Sequence, residues 1–410
     1  MFDQFPKVKL SEICSINIGG TPAREVAKFW AESHDGVAWV SIADMKQKYI
    51  SKTKEYISKT GALSSNVKLI PAGSLLMSFK LTVGKVAINT VDLYCNEAIA
   101  FFKPLNDSVS LEWLLHVLPL VTANTVTDTA VKGATLNKEK INNLDIPLPE
   151  IAVQRKIVKV LDTLDLEIEQ TKGVIGKLEN SKAGLLKDLL TRGVDSHGKL
   201  RPSYEDAPDL YQETELGFIP KEWGIVKLED IADVSRGKFT HRPRNDPAFF
   251  NGAYPFIQTG DVSRAKGGIV ETYSQTLSYK GTKVSQEFPK GTIAVTIAAN
   301  IADTAILGRA MYFPDSVVGV VPFDMSVSRF IELCIRSNKK SLDAKAPQSA
   351  QKNINLQDLR PLLIVNPPKE EQLNIINIYE ALENRLNNDS HSLNKLLMQK
   401  VGLLKDLLQN

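Results

Sequence analysis

The chain has 410 residues, which is more than one hydrophobic core usually organises and predicts two or three domains. A content of 43% hydrophobic and 24% charged residues is typical of a soluble globular protein, and a net charge of +3 permits a polyanionic partner without requiring one. No apolar signal region opens the sequence, and its most apolar stretch, 292–307, is interrupted by Asn300 and Asp303. We therefore expect a cytoplasmic protein that does not span a membrane.

The first elements along the chain belong to an internal repeat, whose two copies are related by one constant offset. Val8-Lys9-Leu10 returns at 226–228, and the segment 184–190 returns unchanged and at the same offset as 402–408. These matches predict a tandem duplication with pseudo-two-fold symmetry.

The first part of each copy, residues 1–150 and 216–368, is rich in short β-type runs punctuated by glycine and proline. The clearest runs lie at 37–42, 75–79 and 292–297, and short helical stretches such as 111–118 lie between such runs. This pattern predicts a mixed α/β domain in each copy.

The second part of each copy, residues 151–190 and 369–410, has apolar residues at heptad spacing and predicts one long helix. A helix of this length extends for roughly 60 Å. The seam of the first helix is predicted to contain Ile157, Leu161, Leu164, Ile168, Ile175, Leu178, Leu185 and Leu189. The seam of the second helix is predicted to contain Ile375, Tyr379, Leu382, Leu386, Leu393, Leu396, Leu403 and Leu407.

Both seams are interrupted by polar residues at the same two places. These residues are Thr171 and Lys182 in the first helix, and the equivalent Asp389 and Lys400 in the second. Parallel pairing would set the two lysines against each other. Antiparallel pairing sets Lys182 near Leu382 and Lys400 near Leu164, where each lysine stem can reach towards water. The pattern predicts an α+β protein whose two mixed α/β domains are separated by two long antiparallel coiled-coil helices. Two amphipathic helices packed separately on their own domains remain the alternative.

Residues 191–215 between the copies contain glycine, proline and many polar residues, and we interpret them as a linker. Cys14, Cys95 and Cys334 each align with a different residue type in the other copy, so they are predicted to be small core residues. The five histidines form no ligand spacing, and no hydrolase or metalloprotease motif occurs. We therefore predict no catalytic residue and no metal site in this chain.

Basic and polar loops are the candidates for contact with a nucleic acid, because Arg and Lys bind phosphates or guanine edges and amides bind adenine. The alternative is that these side chains are solvated surface groups. The candidates are Thr21, Arg24, Lys46, Lys80, Thr82, Lys85, Arg236, Lys238, Thr240, Arg242, Arg244, Arg264, Lys266 and Gln351.

The whole chain resembles the specificity subunit of type I restriction–modification systems. The resemblance is carried by the domain–helix–domain–helix order, by Pro147-Leu-Pro149 followed by Gln154-Arg-Lys-Ile157, and by the segments 19–22, 187–193 and 216–223. The second copy differs in lacking Gly-Gly-Thr-Pro at 237–240.

This resemblance implies two target-recognition domains that read the two halves of an interrupted site in double-stranded DNA. It also implies helices that fix the spacer and dock two modification (methyltransferase) subunits, with restriction (ATPase/nuclease) subunits completing the complex. S-adenosylmethionine and ATP would act in those partners, and this chain would not be an enzyme. A coiled-coil adaptor that binds only proteins, and an enzyme with unrecognised motifs, remain as alternatives.

Overall fold

The computed structural model describes residues 5–127, 136–298, 300–345 and 353–409. The chain forms two compact units: unit 1 comprises Met1–Lys172 and His391–Asn410, and unit 2 comprises Gly173–Ser390. Each unit has hydrophobic cores of its own. Among the described residues, no helix has the length and apolar character needed to cross a membrane.

Unit 1 begins with a mixed set of strands and short helices and continues into a long helix that it shares with unit 2. The strands are β1 (Lys7–Lys9), β2 (Cys14–Ile18), β3 (Trp30–Ala31), β4 (Val37–Val40), β5 (Tyr49–Ile50), β6 (Glu55–Ile57), β7 (Leu75–Ser78), β8 (Val86–Asn89), β9 (Tyr94–Cys95), β10 (Ile99–Pro104) and β11 (Asp145–Pro147). The helices are α1 (Leu10–Ile13), α2 (Lys59–Leu63), α3 (Leu111–Thr127), α4 (Lys138–Asn142) and α5 (Ile151–Thr191).

The main sheet of unit 1 has the strand order β2-β10-β7-β8-β5, and a smaller sheet has the order β3-β6-β4-β9. The central strand β7 is fully buried, which is why its first three residues are a continuous apolar run rather than an alternating pattern. Leu75 and Met77 belong to the core shared with α3, whereas Leu76 belongs to a core shared with the small sheet. The main sheet therefore lies between α3 and the small sheet.

Unit 2 repeats this plan after two additional strands. Its strands are β12 (Tyr211–Thr214), β13 (Gly217–Pro220), β14 (Gly224–Lys227), β15 (Ala232–Arg236), β16 (Phe250–Phe256), β17 (Ile269–Val270), β18 (Gln275–Leu277), β19 (Glu287–Phe288), β20 (Ile293–Thr296), β21 (Thr304–Leu307), β22 (Met311–Tyr312), β23 (Val317–Pro322) and β24 (Leu363–Asn366). Its helices are α6 (Leu228–Ile231), α7 (Thr259–Ala265), α8 (Tyr279–Thr282), α9 (Ser328–Ser337), α10 (Lys339–Lys345) and α11 (Leu356–Leu359), and α12 (Lys369–Gln409) begins in unit 2 and ends in unit 1.

The main sheet of unit 2 has the order β15-β23-β20-β21-β17, and its small sheet has the order β18-β16-β22-β19. Strands β2, β7, β8 and β10 of unit 1 have the same lengths as their counterparts β15, β20, β21 and β23. The starts of all four pairs are separated by the offset that relates Val8 to Val226 in the sequence. The predicted duplication is therefore confirmed at the level of individual strands.

The two long helices predicted from the heptads are present as α5 and α12, with 41 residues each. In unit 1, the first half of α5 packs against the last part of α12, with Ile157 and Leu161 in the same core as Leu404. In unit 2, the last part of α5 packs against the first part of α12, with Leu189 in the same core as Ile375. These contacts join opposite ends of the two helices and confirm the antiparallel pairing.

Burial along the predicted seams is uneven. Fully buried positions are Ile157, Leu161, Ile168, Leu189, Ile375, Tyr379 and Leu386. Half-buried positions are Leu164, Ile175, Leu178, Leu185, Leu382, Leu393, Leu396 and Leu403. The side chain of Leu407 lies outside the described residues.

Each of the two seam lysines forms an ion pair with a carboxylate. The heptad pattern of apolar positions does not predict these acidic partners. In unit 2 the Lys182 Nζ lies 2.7 Å from Glu383, the residue after the leucine that it was expected to face. In unit 1 Lys400 pairs with Asp165, which again follows the expected leucine. Each lysine therefore has an acidic partner as well as an apolar neighbour.

The predicted linker is tied to the start of α12. The buried carboxylate of Glu371 accepts hydrogen bonds from the Val194 N–H at 2.8 Å and from the Trp223 indole N–H at 3.0 Å, and it forms an ion pair with Arg201. Gly193 adopts φ +62°, and a side chain there would meet Glu371 and Trp223. These contacts hold residues 193–223 against the first turn of α12.

Candidate nucleic-acid interface

The sheet register brings several loops of unit 1 to one end of its main sheet. Ile18 pairs with Ala100, Ile99 with Ser78, and Met77 with Val86. Segments 19–29, 79–85 and 96–98 therefore leave the same sheet edge. Because β5 runs parallel to β8, segment 41–48 precedes it at that edge as well. We call these four segments the loop end of unit 1.

Four predicted contact residues stand at this loop end with exposed side chains: Lys46, Lys80, Thr82 and Lys85. Among the described residues, none of the three lysines has a carboxylate within ion-pair distance, although Lys80 lies near enough to Glu97 to stabilise its charge. Lys80, Thr82 and Lys85 belong to one hairpin. Its turn contains Leu81, which has φ +63° and a side chain that is 92% exposed. The hairpin therefore exposes Lys80, Leu81, Thr82 and Lys85 to solvent, while Val83 packs against the core.

Two other candidates in unit 1 are already engaged within the protein. The Thr21 hydroxyl donates to Glu97, and this bond, together with nearby Lys80 and Arg24, lowers the pKa of the Glu97 carboxyl. Arg24 forms an ion pair with Glu55. Its guanidinium is half exposed, so it is held in place and still faces solvent.

The same arrangement recurs in unit 2. Arg236 pairs with Val318, Thr296 with Val317, and Val295 with Thr304. Segments 237–249, 258–268, 297–303 and 313–316 therefore lie at the equivalent sheet edge and form the loop end of unit 2, of which residue 299 is not described.

Six candidates in unit 2 lie within these segments, and a seventh, Arg236, is the last residue of β15, directly before them. Arg236 donates to the Asn355 side chain at 3.2 Å, and Arg242 donates to two carbonyl groups of its own loop. Arg244 pairs with Asp315 at 2.8 Å, and Arg264 pairs with Asp261. The other three, which are exposed, are Lys238, Thr240 and Lys266. The remaining candidate, Gln351, lies outside the described residues.

The loop end of unit 1 is joined to its helices by an ion-pair network. The Lys48 Nζ lies 2.5 Å from Asp162 on α5, and the His116 Nε2 on α3 lies 2.9 Å from the same carboxylate. Lys400 on α12 pairs with the neighbouring Asp165. Burial, together with the two lysines, lowers the pKa of the His116 imidazole below its usual value, so the ring is neutral at physiological pH.

This network is also the only group of potential metal ligands in the described part of the chain. His116, Asp162 and Asp165 offer ligand atoms that lie within 4.8 Å of one another. Both carboxylates, however, are already paired with ammonium groups, whose positive charge opposes a cation. We therefore assign no metal to these residues.

The loop end of unit 2 is joined to its helices by a buried ion cluster. Glu332 on α9 is fully buried, accepts a hydrogen bond from the Thr304 hydroxyl at 2.6 Å and pairs with Arg329 at 2.7 Å. Arg329 also donates to the carbonyl oxygen of Gly267, within the loop end, and pairs with Glu383 on α12. A charged side chain of α9 thus holds a segment of the loop end and a long helix together.

Three buried cysteine thiols occur, as the repeat predicted. Burial raises the pKa of the Cys14 thiol to about 12 and raises the pKa of Cys334 as well. Neither thiol is therefore a nucleophile at physiological pH.

Sequence reasoning missed a cavity of about 640 Å³ at the loop end of unit 2, lined by both polar and apolar residues. Four of its lining residues are amides, and aromatic and proline rings form much of the remaining wall. The amides are Asn245, Asn251, Gln258 and Gln275. Gln351 was the only amide among the predicted contacts, because basic charge guided that selection.

Comparison with known proteins matches both copies of the repeat to one family model. The model described as "Type I restriction modification DNA specificity domain" matches residues 3–180 and again residues 220–397. Each match extends from a mixed α/β domain into the long helix that follows it.

Two curated relatives are specificity subunits. The EcoBI specificity subunit of Escherichia coli is 23% identical over 410 residues, which cover 91% of this chain and 79% of that protein. The MjaIX specificity subunit of Methanocaldococcus jannaschii is 24% identical over 267 residues, which cover 64% of this chain and 59% of that protein. The second match thus spans less than two thirds of the relative's length.

Two crystal structures share the fold. The S subunit of a type I restriction–modification system from M. genitalium gives a TM-score of 0.58 at 13% identity and covers 100% of this chain and 97% of its own. The HsdS subunit from Thermoanaerobacter tengcongensis gives a TM-score of 0.51 at 16% identity with the same coverage. The predicted fold class, two mixed α/β domains with paired long helices, is confirmed.

Proposed function

This chain belongs to the type I restriction modification DNA specificity family, and on that premise we propose that it is the DNA-recognition subunit of such a system. Each loop end would read one half of a bipartite target, and the paired helices α5 and α12 would fix the spacer. The observation that carries this proposal is that two equivalent sheet ends, one in each copy, collect 13 of the 14 predicted contact residues.

The chemistry of the two loop ends suits DNA. The exposed lysines at 46, 80 and 85 can bind phosphates, and such contacts position a protein on the duplex without reading its sequence. Polar groups held by other side chains, such as Arg24 by Glu55 and the Gln275 amide by Gln258, can read base edges. The two copies differ in these fixed groups while keeping the same scaffold, as expected when each half of the target has its own sequence.

The partners follow from the same proposal. Two modification subunits would bind the helices and methylate adenine with S-adenosylmethionine, and restriction subunits would hydrolyse ATP and cleave DNA. Glu332, His116 and the cysteine thiols are engaged in structure, and we assign no catalytic role to the described residues of this chain.

The proposal is tested by assembling the chain with the modification subunits of its own system and sequencing N6-methyladenine in the host DNA. We expect methylation at an interrupted site with two defined halves. Replacing residues 1–150 with those of a related subunit should then change one half only. A complex that shows no preference for any sequence across a salt titration would instead support a protein-binding adaptor.

A further inference from the structure

The small sheets of the two units contain equivalent cross-strand pairs. In each pair an aromatic residue lies opposite a polar residue, but the polar residue differs between the two units. In unit 1 Trp39 pairs with Glu55, and in unit 2 Phe256 pairs with Gln275. The neighbouring pairs, Trp30 with Ile57 and Phe250 with Leu277, also correspond. An arginine precedes the first aromatic residue by six positions in both units, as Arg24 and Arg244.

In unit 1 the carboxylate at this position holds the arginine over the aromatic rings. Glu55 pairs with Arg24, and the Arg24 Cζ lies 4.2 Å from the ring centre of Trp30 and 4.6 Å from that of Trp39. Trp39 is itself fixed by donating its indole N–H to the Gly20 carbonyl oxygen at 3.0 Å. The guanidinium remains half exposed, with donors left for another acceptor.

In unit 2 the neutral amide cannot hold an arginine in this way. Arg244 turns instead to Asp315, which corresponds to Glu97 of unit 1. The space between Phe250 and Gln275 is left open and forms part of the 640 Å³ cavity. The Gln275 Oε1 accepts a hydrogen bond from the Gln258 Nε2 at 2.9 Å, which orients its amide.

We propose that this position, Glu55 in unit 1 and Gln275 in unit 2, determines which base pair each unit reads. The inference rests on the proposed function. A fixed arginine matches the two acceptors of guanine, O6 and N7, so unit 1 reads a G·C pair through Arg24. An oriented amide matches the N6–H donor and N7 acceptor of adenine, so unit 2 reads an A·T pair through Gln275. The second lone pair of Oε1 accepts the adenine hydrogen while the Nε2 donates.

The test exchanges the two side chains in the full chain assembled with its modification subunits. Once the target is mapped, binding is measured to duplexes in which each base pair is replaced in turn. Gln275→Glu should remove the preference for one A·T pair in one half-site by about 5- to 150-fold, because a bidentate contact is lost. Glu55→Gln should weaken the preference for one G·C pair in the other half-site by a similar factor.

A matched control separates this effect from a change of net charge. Lys290→Gln also makes the chain more negative by one charge, but it lies in the turn before β20, at the opposite end of the sheet. Its base-preference profile should equal that of the original complex. Gln275→Ala should lose the A·T preference without adding charge, and it replaces Gln275→Glu if that variant does not fold.

Two results would overturn the inference: unchanged base preferences in Gln275→Glu and Gln275→Ala complexes that still bind DNA, or a change shared with Lys290→Gln. If the original complex itself showed no bipartite target, the proposed function would fail before this question arose, so the two failures are distinguishable.

Discussion

Glu332 has no exposed surface, and two guanidinium groups neutralise it: Arg329 at 2.7 Å and Arg336 at 3.4 Å. Removing one partner of a buried ion pair leaves a charge without compensation and costs roughly 3–5 kcal/mol. Since Arg336 remains, we expect Arg329→Met to lower the free energy of unfolding of unit 2 by about 3 kcal/mol. Urea unfolding measures this change, and faster hydrogen exchange at the Gly267 amide should accompany it.

The control for this prediction is an exposed arginine. Arg385 is 66% exposed and lies 3.9 Å from Asp389, so Arg385→Met should cost less than about 1 kcal/mol. Equal losses in the two variants would show that burial of the Glu332 cluster contributes nothing special to stability.

His116 makes the stability of unit 1 depend on pH. Burial lowers the pKa of its imidazole in the folded state below the unfolded value of about 6.5. The unfolded chain therefore binds more protons in this range, and stability is present above pH 6.5 and is lost as the pH falls below it. We expect the free energy of unfolding to decline between pH 7 and pH 5.5, by at most about 1.4 kcal/mol per pH unit from this residue.

The measurement compares the original chain with His116→Asn, which has no titrating group at this position. The variant should show a flatter pH dependence between pH 7 and pH 5.5, while histidines elsewhere affect both proteins equally. Parallel curves would assign the acid sensitivity to other groups.

At the scale of single elements, the first half of α5 presents one face to the core of unit 1 and another to solvent. Leu161 is fully buried, whereas Leu166, further along the same helix, is 59% exposed. Truncating a buried leucine removes its transfer free energy and leaves a cavity, so Leu161→Ala should cost roughly 2–5 kcal/mol. Leu166→Ala should change stability by less than about 0.5 kcal/mol. Thermal unfolding of both variants measures the difference, and similar losses would contradict the assigned seam.

The long helices could be predicted because a heptad pattern persists along nearly the full length of each and occurs twice. The acidic partners of the seam lysines could not be predicted, because Asp165 and Glu383 lie beside the seam rather than on it.

The glutamine that is repeated at the start of each long helix also has a role that spacing alone does not show. The Gln154 amide donates to the Pro149 carbonyl oxygen, and the Gln372 amide donates to that of Pro367, both at 2.8 Å. Each glutamine thereby fixes the entry of its helix.

The sequence predicted which kind of loop could contact a nucleic acid, but it did not predict the contacts that these loops make within the protein. Basic composition identified several of the segments that lie at each loop end, but it did not identify segments 96–98, 297–303 or 313–316. It did not identify Glu55 and Gln275 as equivalent, because an insertion in the second copy changes the offset of the repeat there. Only the strand register, which pairs both residues with an aromatic side chain, reveals their correspondence.

At the scale of the whole molecule, the repeat relates the two ion pairs of the long helices to each other. Asp165 on α5 pairs with Lys400 on α12, and Lys182 on α5 pairs with Glu383 on α12. The constant offset of the repeat makes Lys400 the counterpart of Lys182 and Glu383 the counterpart of Asp165. Two copies of α5 placed antiparallel would therefore join Lys182 of each copy to Asp165 of the other. The apolar seam positions of α12 have apolar equivalents in α5. An antiparallel pair of two α5 helices would therefore also have an apolar seam.

We therefore predict that residues 1–195 form a symmetric dimer that replaces the full chain. Light scattering should show the dimer, and Lys182→Asp should weaken it, because two acidic residues would then face each other at both contacts. Adding Asp165→Lys to that variant exchanges the charges and should restore the dimer. With the modification subunits, the dimer should direct methylation to an interrupted palindrome made of one half-site and its inverted copy. A monomeric fragment, or methylation at an asymmetric site, would show that α5 cannot take the place of α12.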